Sequence, residues 1–199
     1  MSLVGYHRGV LVWDDRGLTN NLGTEYSNPI EKVRVDPSNR FAFGAVGKGP
    51  EQLNHPFIYQ AVERLLVKLT SSVPVDAPEI EKLAEYIFKL VGDTFIAITK
   101  CGAWYGNADK MFVAGDFPIA IGTGRDGFIA ACLLGEEVFK AGQFAGYYDS
   151  RTSAKISGCM RADLKPFAGD PKPVVKKKAA PVKRTKSVVP VKAVKRRTK

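Results

Sequence analysis

Two pairs of amphipathic helical stretches, each set between runs of short apolar strands, constrain the fold of this 199-residue chain more than any other feature. "SLVGYHRGVLVWDD" reads as two strands around a turn at Arg8-Gly9, and "EKVRVD" and "RFAFGAVG" as two more around Asp36-Pro37-Ser38-Asn39. "HPFIYQAVERLLVKL" then places Phe57, Ala61, Leu65 and Leu69 at helical spacing, and "APEIEKLAEYIFKLV" does so with Ile80, Leu83, Ile87 and Leu90. Pro56 and Pro78 fall where a first helical turn tolerates proline. Strands return in "TFIAITK" and "MFVAG", with the Gly102 region as the bend. "AIGTGRDGFIAACLLG" runs from strand into helix through Phe128 to Leu134, a second helix spans roughly Glu136 to Tyr148, and "SAKISGCMRAD" closes the body as strand. A doubly wound parallel sheet alternates single strands with single helices, so this order argues against one. It fits two stacked sheets with helix pairs packed outside.

The formal net charge of +10 misleads as an average. From Pro171 to Lys199 there are twelve Lys and Arg and no Asp or Glu, which leaves eighteen basic and twenty acidic residues in the body. The body is therefore near neutral, and positive charge is concentrated in the tail. "DPKPVVKKKAAPVKRTKSVVPVKAVKRRTK" has no aromatics and a repeated Pro-Val-Lys element, so disorder is expected over 169–199 and an ordered domain over 1–168. In composition this tail resembles linker-histone and histone-like bacterial tails. Lys176, Lys177, Lys178, Lys183, Arg184, Lys186, Lys195, Arg196 and Arg197 would neutralise phosphates without reading base sequence.

Cys101, Cys132 and Cys159 stand apart without a CxxC pair, beside only two histidines, so buried reduced thiols are expected rather than disulfides or structural zinc. No run of eighteen apolar residues occurs, and the first fifteen residues lack the pattern of a secretory signal. No membrane association and a cytoplasmic setting, in a bacterial or phage-infected cell, are the expectation.

The Gly-Thr-Gly at 122–124 raises the question of a phosphate cradle. Gly122, Gly124 and Gly127 match GxGxxG, but they lie in the last third of the chain after an antiparallel-looking set of strands, no parallel strand with an acidic ribose ligand follows at the expected distance, and GxxxxGK[ST] is absent. A helix-start turn with Thr123 or Asp126 as cap is the simpler account. No cofactor is expected.

Five motifs change that account. "SLVG" followed by "GVLVWDDRGLT", then "EKVRV", "FAFGAVG", "PIAIGTG" and "YYDSRTS" occur in this order over nearly all of residues 1–165. Together they resemble the proteasome β-subunit and HslV-like family of N-terminal nucleophile hydrolases. The resemblance implies an α+β, four-layer αββα sandwich of two stacked antiparallel sheets. It also implies a site: Lys32 as the lysine beside the chain's first amine, Asp15 as its carboxylate partner, with Asp14 the alternative under a one-residue shift. Gly44 would supply the oxyanion N–H, Thr123 takes the place of the family's serine in Gly-Ser-Gly, and Asp149 and Thr152 would complete the shell around the amine. The family's mature chain begins with threonine, whereas this one begins Met1-Ser2-Leu3. Removal of Met1 would expose Ser2 as the nucleophile; a register placing Met1 in that slot would leave the site dead.

Three functions follow for test. The resemblance implies a peptidase subunit that assembles in hexameric or heptameric rings and is fed by a separate ATP-dependent unfoldase. A non-catalytic protein retaining the fold is the second. The third is a nucleic-acid-associated protein in which the body makes the tail multivalent. Deleting residues 171–199 is expected to abolish salt-sensitive binding to DNA or another polyanion while leaving assembly intact, as read by titration at several salt concentrations and by sizing.

Overall fold

Two continuous, largely buried apolar runs and two turn residues with positive φ, Arg8 (46°) and Gly9 (83°), build the opening hairpin of β1 (Leu3–His7) and β2 (Val10–Asp14). A computed structural model describes residues 3–15, 32–46, 55–71, 74–108, 110–149 and 152–168. The expected basic tail and Ser2 lie outside the described residues. After the hairpin come β3 (Val33–Val35), β4 (Phe41–Ala45), α1 (Pro56–Leu69), α2 (Pro78–Val91), β5 (Phe95–Thr99), β6 (Ala103–Gly106) and β7 (Met111–Val113). The body closes with β8 (Ile119–Gly122), α3 (Arg125–Leu133), α4 (Val138–Tyr148), β9 (Ile156–Met160) and β10 (Pro166–Ala168).

The strands form two five-stranded sheets in the orders β10-β9-β2-β1-β8 and β3-β4-β5-β6-β7. Every recorded pairing is antiparallel. Three apolar layers hold them together. Ile58, Leu65, Ile80 and Ile87 of α1 and α2 pack on Phe43 and Phe95 of the second sheet. Val4 and Tyr6 of the first sheet meet Val33, Ile96 and Ile98 of the second in a central layer. Phe128, Ala131, Phe139 and Ala145 of α3 and α4 cover Leu3 and Val12. The result is the αββα sandwich expected from the sequence.

Several local expectations need correction. Phe57 is exposed, and the buried stripe of α1 runs through Ile58, Ala61, Val62, Leu65, Leu66 and Leu69. Residues four apart advance about 40° around a helix per step, so a 57-61-65-69 row drifts off the buried face. On α2 the buried set is Ile80, Ala84, Ile87 and Val91, with Leu83 and Leu90 half-buried at its margin. Neither Thr123 nor Asp126 caps α3; Gly124 holds that position without a side-chain bond, and Asp126 sits in the first turn. Cys101 is exposed, whereas Cys132 and Cys159 are buried free thiols. Burial pushes the Cys132 thiol up to about 11 and the Cys159 thiol up to about 12, so neither is a thiolate near neutrality.

The β3–β4 turn is clamped to α1 by one buried carboxylate. Asp36 accepts the Ser38 and Arg40 amides at 3.1 Å, Arg40 Nε at 3.0 Å and the Tyr59 hydroxyl. Arg40 reaches onward to Glu63 at 2.6 Å. Burial raises the Asp36 carboxyl, but hydrogen bonds from Arg40 and Tyr59 outweigh it and hold the group at about 2. A carboxyl lowered on folding contributes stability that is full above its unfolded value and lost as pH falls through the folded one. Urea stability is expected to decline as the pH falls from about 4 to about 2. Asp36→Asn should be less stable at neutral pH and show a smaller decline over that window.

Candidate active site

The first sheet delivers a carboxylate to the rim of the sandwich and the second delivers an ammonium. Asp14, the last residue of β2, is fully buried, and Lys32 precedes β3 with 5% of its surface exposed. Lys32 Nζ donates to Asp14 Oδ1. The same oxygen accepts the Leu3 amide at 2.8 Å, and Asp14 Oδ2 accepts the Ser153 amide at 3.0 Å. Burying a carboxylate is unfavourable unless it is paired and hydrogen-bonded, and here a cation and two amides meet that demand. Three chain segments remote in sequence thus converge on one side chain.

This geometry shifts one sequence expectation by a residue. Asp14, not Asp15, faces Lys32. Side chains alternate along a strand, so neighbouring residues of a hairpin cannot both point at the same lysine. Asp15 is half-buried, and its amide donates to Lys155 O at 3.2 Å.

Gly44 is also corrected. The Ala45 amide donates to Lys32 O at 3.1 Å, which turns Ala45 toward β3. Antiparallel alternation then turns the Gly44 N–H toward β5, where Gly44 pairs with Ile96. That N–H belongs to the sheet ladder and is not a free oxyanion donor. What Gly44 provides is space. A Cβ there would come within 2.7 Å of Val4 Cγ1 and 2.9 Å of Val33 Cγ2, so its bare backbone lets the two sheets close up beside Lys32.

Thr123 follows β8 directly, and Gly122 of that strand pairs with Leu3. The Thr123 hydroxyl is buried, and no hydrogen-bond partner for it exists among the described residues. Helix α3 is held against β1 by Phe128, whose ring would lie 2.8 Å from a Cβ on Gly5. Thr152 is buried, and its hydroxyl donates to Asp149 Oδ2 at 3.1 Å. A Cβ on Gly124 would lie 2.7 Å from Thr152 Oγ1, so that glycine lets the α3 start and the loop after α4 meet. Lys32, Thr123, Asp149 and Thr152 accordingly lie on segments that meet around Leu3 and Asp14. The sequence reading missed the Ser153 amide, because a backbone donor has no residue-type signature.

Among the described residues no group of three or more His, Cys, Asp or Glu side chains could hold a metal ion. Also among them, no helix is long and apolar enough to cross a membrane.

Two stacked antiparallel sheets between helix pairs define the proteasome-type sandwich fold. No protein-family model matches the sequence, and no curated protein sequence does. Among solved structures, the chain is similar to the crystal structure of eukaryotic HslV from Trypanosoma brucei. The two share 15% identity with a TM-score of 0.55, over 79% of this chain and 96% of that one. The likeness shows an HslV-like fold.

Two substitutions separate the roles of the buried polar groups. Thr123→Val removes, at constant shape, a buried hydroxyl with no hydrogen-bond partner among the described residues, and is expected to leave stability unchanged or raise it by about 1 kcal/mol. Lys32→Ala strands a buried carboxylate and should lower stability by about 3–5 kcal/mol. Urea denaturation of the two variants beside the parent chain measures both.

Proposed function

We propose that this chain is a proteasome- and HslV-like peptidase subunit that cleaves peptide bonds with Ser2 as an N-terminal nucleophile once Met1 is removed, working in an oligomeric ring. The observation that carries this reading is the shared oxygen of Asp14. It receives both the Lys32 ammonium and the amide of Leu3. Two donors on one acceptor lie within roughly 6 Å of each other. Covalent geometry keeps the Ser2 Cα within about 2.5 Å of the Leu3 nitrogen. Because the Leu3 amide shares its acceptor with the Lys32 ammonium, the covalent link to Leu3 supports Ser2 over Met1 for the nucleophile's slot.

The chemistry then runs on this chain's own groups. A free α-amine titrates near pH ~7.7–8.0, and the positive charge of Lys32 beside it favours the neutral form. The amine takes the proton from Ser2 Oγ as that oxygen attacks the scissile carbonyl. The proton passes to the leaving amine, and water hydrolyses the resulting ester. Asp14 holds Lys32 charged and oriented. The Thr123 hydroxyl, unpaired among the described residues, is suited to hydrogen-bond the first amine, with Asp149 and Thr152 behind it. The oxyanion donor is assigned to the backbone after Ala45, where the β4 ladder ends.

The likeness to HslV supports self-association into rings, and a separate ATP-dependent unfoldase would deliver substrate. The tail supports a second reading. With twelve cationic and no acidic residues from Pro171 onward, it suits non-specific nucleic acid, and a body lacking a working nucleophile would then serve as a scaffold.

Intact mass before and after incubation with a peptidyl epoxyketone decides between the two, because a stable adduct requires both the hydroxyl and its own free amine. Loss of methionine plus one adduct, absent in Ser2→Ala, is the expected result. Retained Met1 without adduct overturns the peptidase reading and leaves the scaffold.

A further inference from the structure

The loop that carries Asp149, Thr152 and Ser153 reaches Asp14 only because helix α4 presents bare backbone to it. Asp149 ends α4 with extended backbone, and the chain folds back at once, the Thr152 amide donating to Asp149 O at 2.9 Å. The loop then crosses the last turn of α4 at Gly146. A Cβ there would lie 2.5 Å from both Ser153 C and Ala154 N, and closer still to Ser153 O. All three are main-chain atoms, so no rotamer change relieves the approach. Real Cβ atoms essentially never approach a neighbour within 3.0 Å, so a methyl group would displace the loop or the helix by about half an ångström or more.

The helix has little freedom to yield. On its other sides a Cβ on Gly142 would meet Ile156 at 3.3 Å, and Ala145 Cα would lie 3.3 Å from a Cβ on Gly127 of α3. The strain falls on the loop instead. Ser153 is the residue pressed against Gly146, and its own amide is the donor to Asp14 Oδ2 at 3.0 Å. A shift of about 0.5 Å or more away from Asp14 stretches that bond to the edge of hydrogen-bonding range or past it. It also moves Thr152 and Asp149 relative to Thr123.

We propose that Gly146 is a positioning residue: through the Ser153 amide it sets the Asp14 carboxylate against Lys32 and fixes the depth of the Asp149–Thr152 loop. The kinetic part of this proposal rests on the peptidase reading above; the geometric part does not. An ordinary glycine inside a helix makes the opposite prediction, since alanine is the better helix former and would raise the melting temperature.

The test uses the full chain carrying Gly146→Ala, with Gly115→Ala, where a Cβ meets open space, as control. Three quantities are read: hydrogen exchange at the Ser153 amide, the rate at which succinimidyl acetate acylates Lys32, and the rate of epoxyketone adduct formation. Gly146→Ala is expected to speed Ser153 exchange by about 10-fold or more while β1 amides stay protected. It should also speed Lys32 acylation and slow adduct formation by about 100-fold. Ser153→Pro, which deletes the N–H without touching α4, should reproduce the Lys32 result if Gly146→Ala does not fold. Unchanged Ser153 exchange and Lys32 acylation in a folded Gly146→Ala chain overturn the proposal. So does faster exchange with Lys32 acylation and adduct rate both intact. If neither variant folds, the loop is a folding element and the positioning role is rejected. If the parent chain forms no adduct, the peptidase reading fails by itself, while exchange and acylation still decide the role of Gly146.

Discussion

The ion pair between Lys32 and Asp14 is the constraint on which the candidate site depends. Each partner comes from a different sheet, and each is buried. A buried pair stabilises little by itself, because removing both charges from water offsets most of their attraction. Once the fold contains one partner, however, it requires the other and the hydrogen bonds that satisfy both. That requirement explains why the Leu3 amide and the Ser153 amide end on Asp14. The strand that starts the chain, the hairpin that follows it and the late loop are tied together at one carboxylate.

Bare backbone does the complementary work. Gly44 lets the sheets approach beside Lys32, Gly5 admits the Phe128 ring that seats α3, and Gly124 brings Thr152 near the α3 start. Charge draws these segments together, and missing side chains set how near they come.

Much of the architecture was legible in the sequence because it rests on patterns a sequence displays. Helix pairs, the turn at Arg8-Gly9 and the succession of strands along the chain follow from periodicity and turn chemistry, and the stacked-sheet arrangement follows from that succession. What escaped depends on direction. Asp14 and Asp15 have the same chemistry, and only the β2 pleat decides which one faces Lys32. The resemblance carried by "FAFGAVG" implies Gly44 as the oxyanion donor, but register turns its N–H into the ladder with β5. Phe57 looked like core until the drift of the helix carried it to the surface. Nothing in residue type marks the Ser153 amide as a site donor, since the groove it enters exists only after α4 and β2 have packed.

Because Lys32 travels with one sheet and Asp14 with the other, the distance between them reports how the two sheets are registered. The layer between them, with Val4, Val33 and Ile96 at its heart, is therefore also part of the electrostatic machinery. A methyl group gained or lost there would be felt as a shift of one sheet against the other. The first property to change would be the field at the beginning of the chain. In this architecture the interior can retune the electrostatics at the rim while every residue there stays the same.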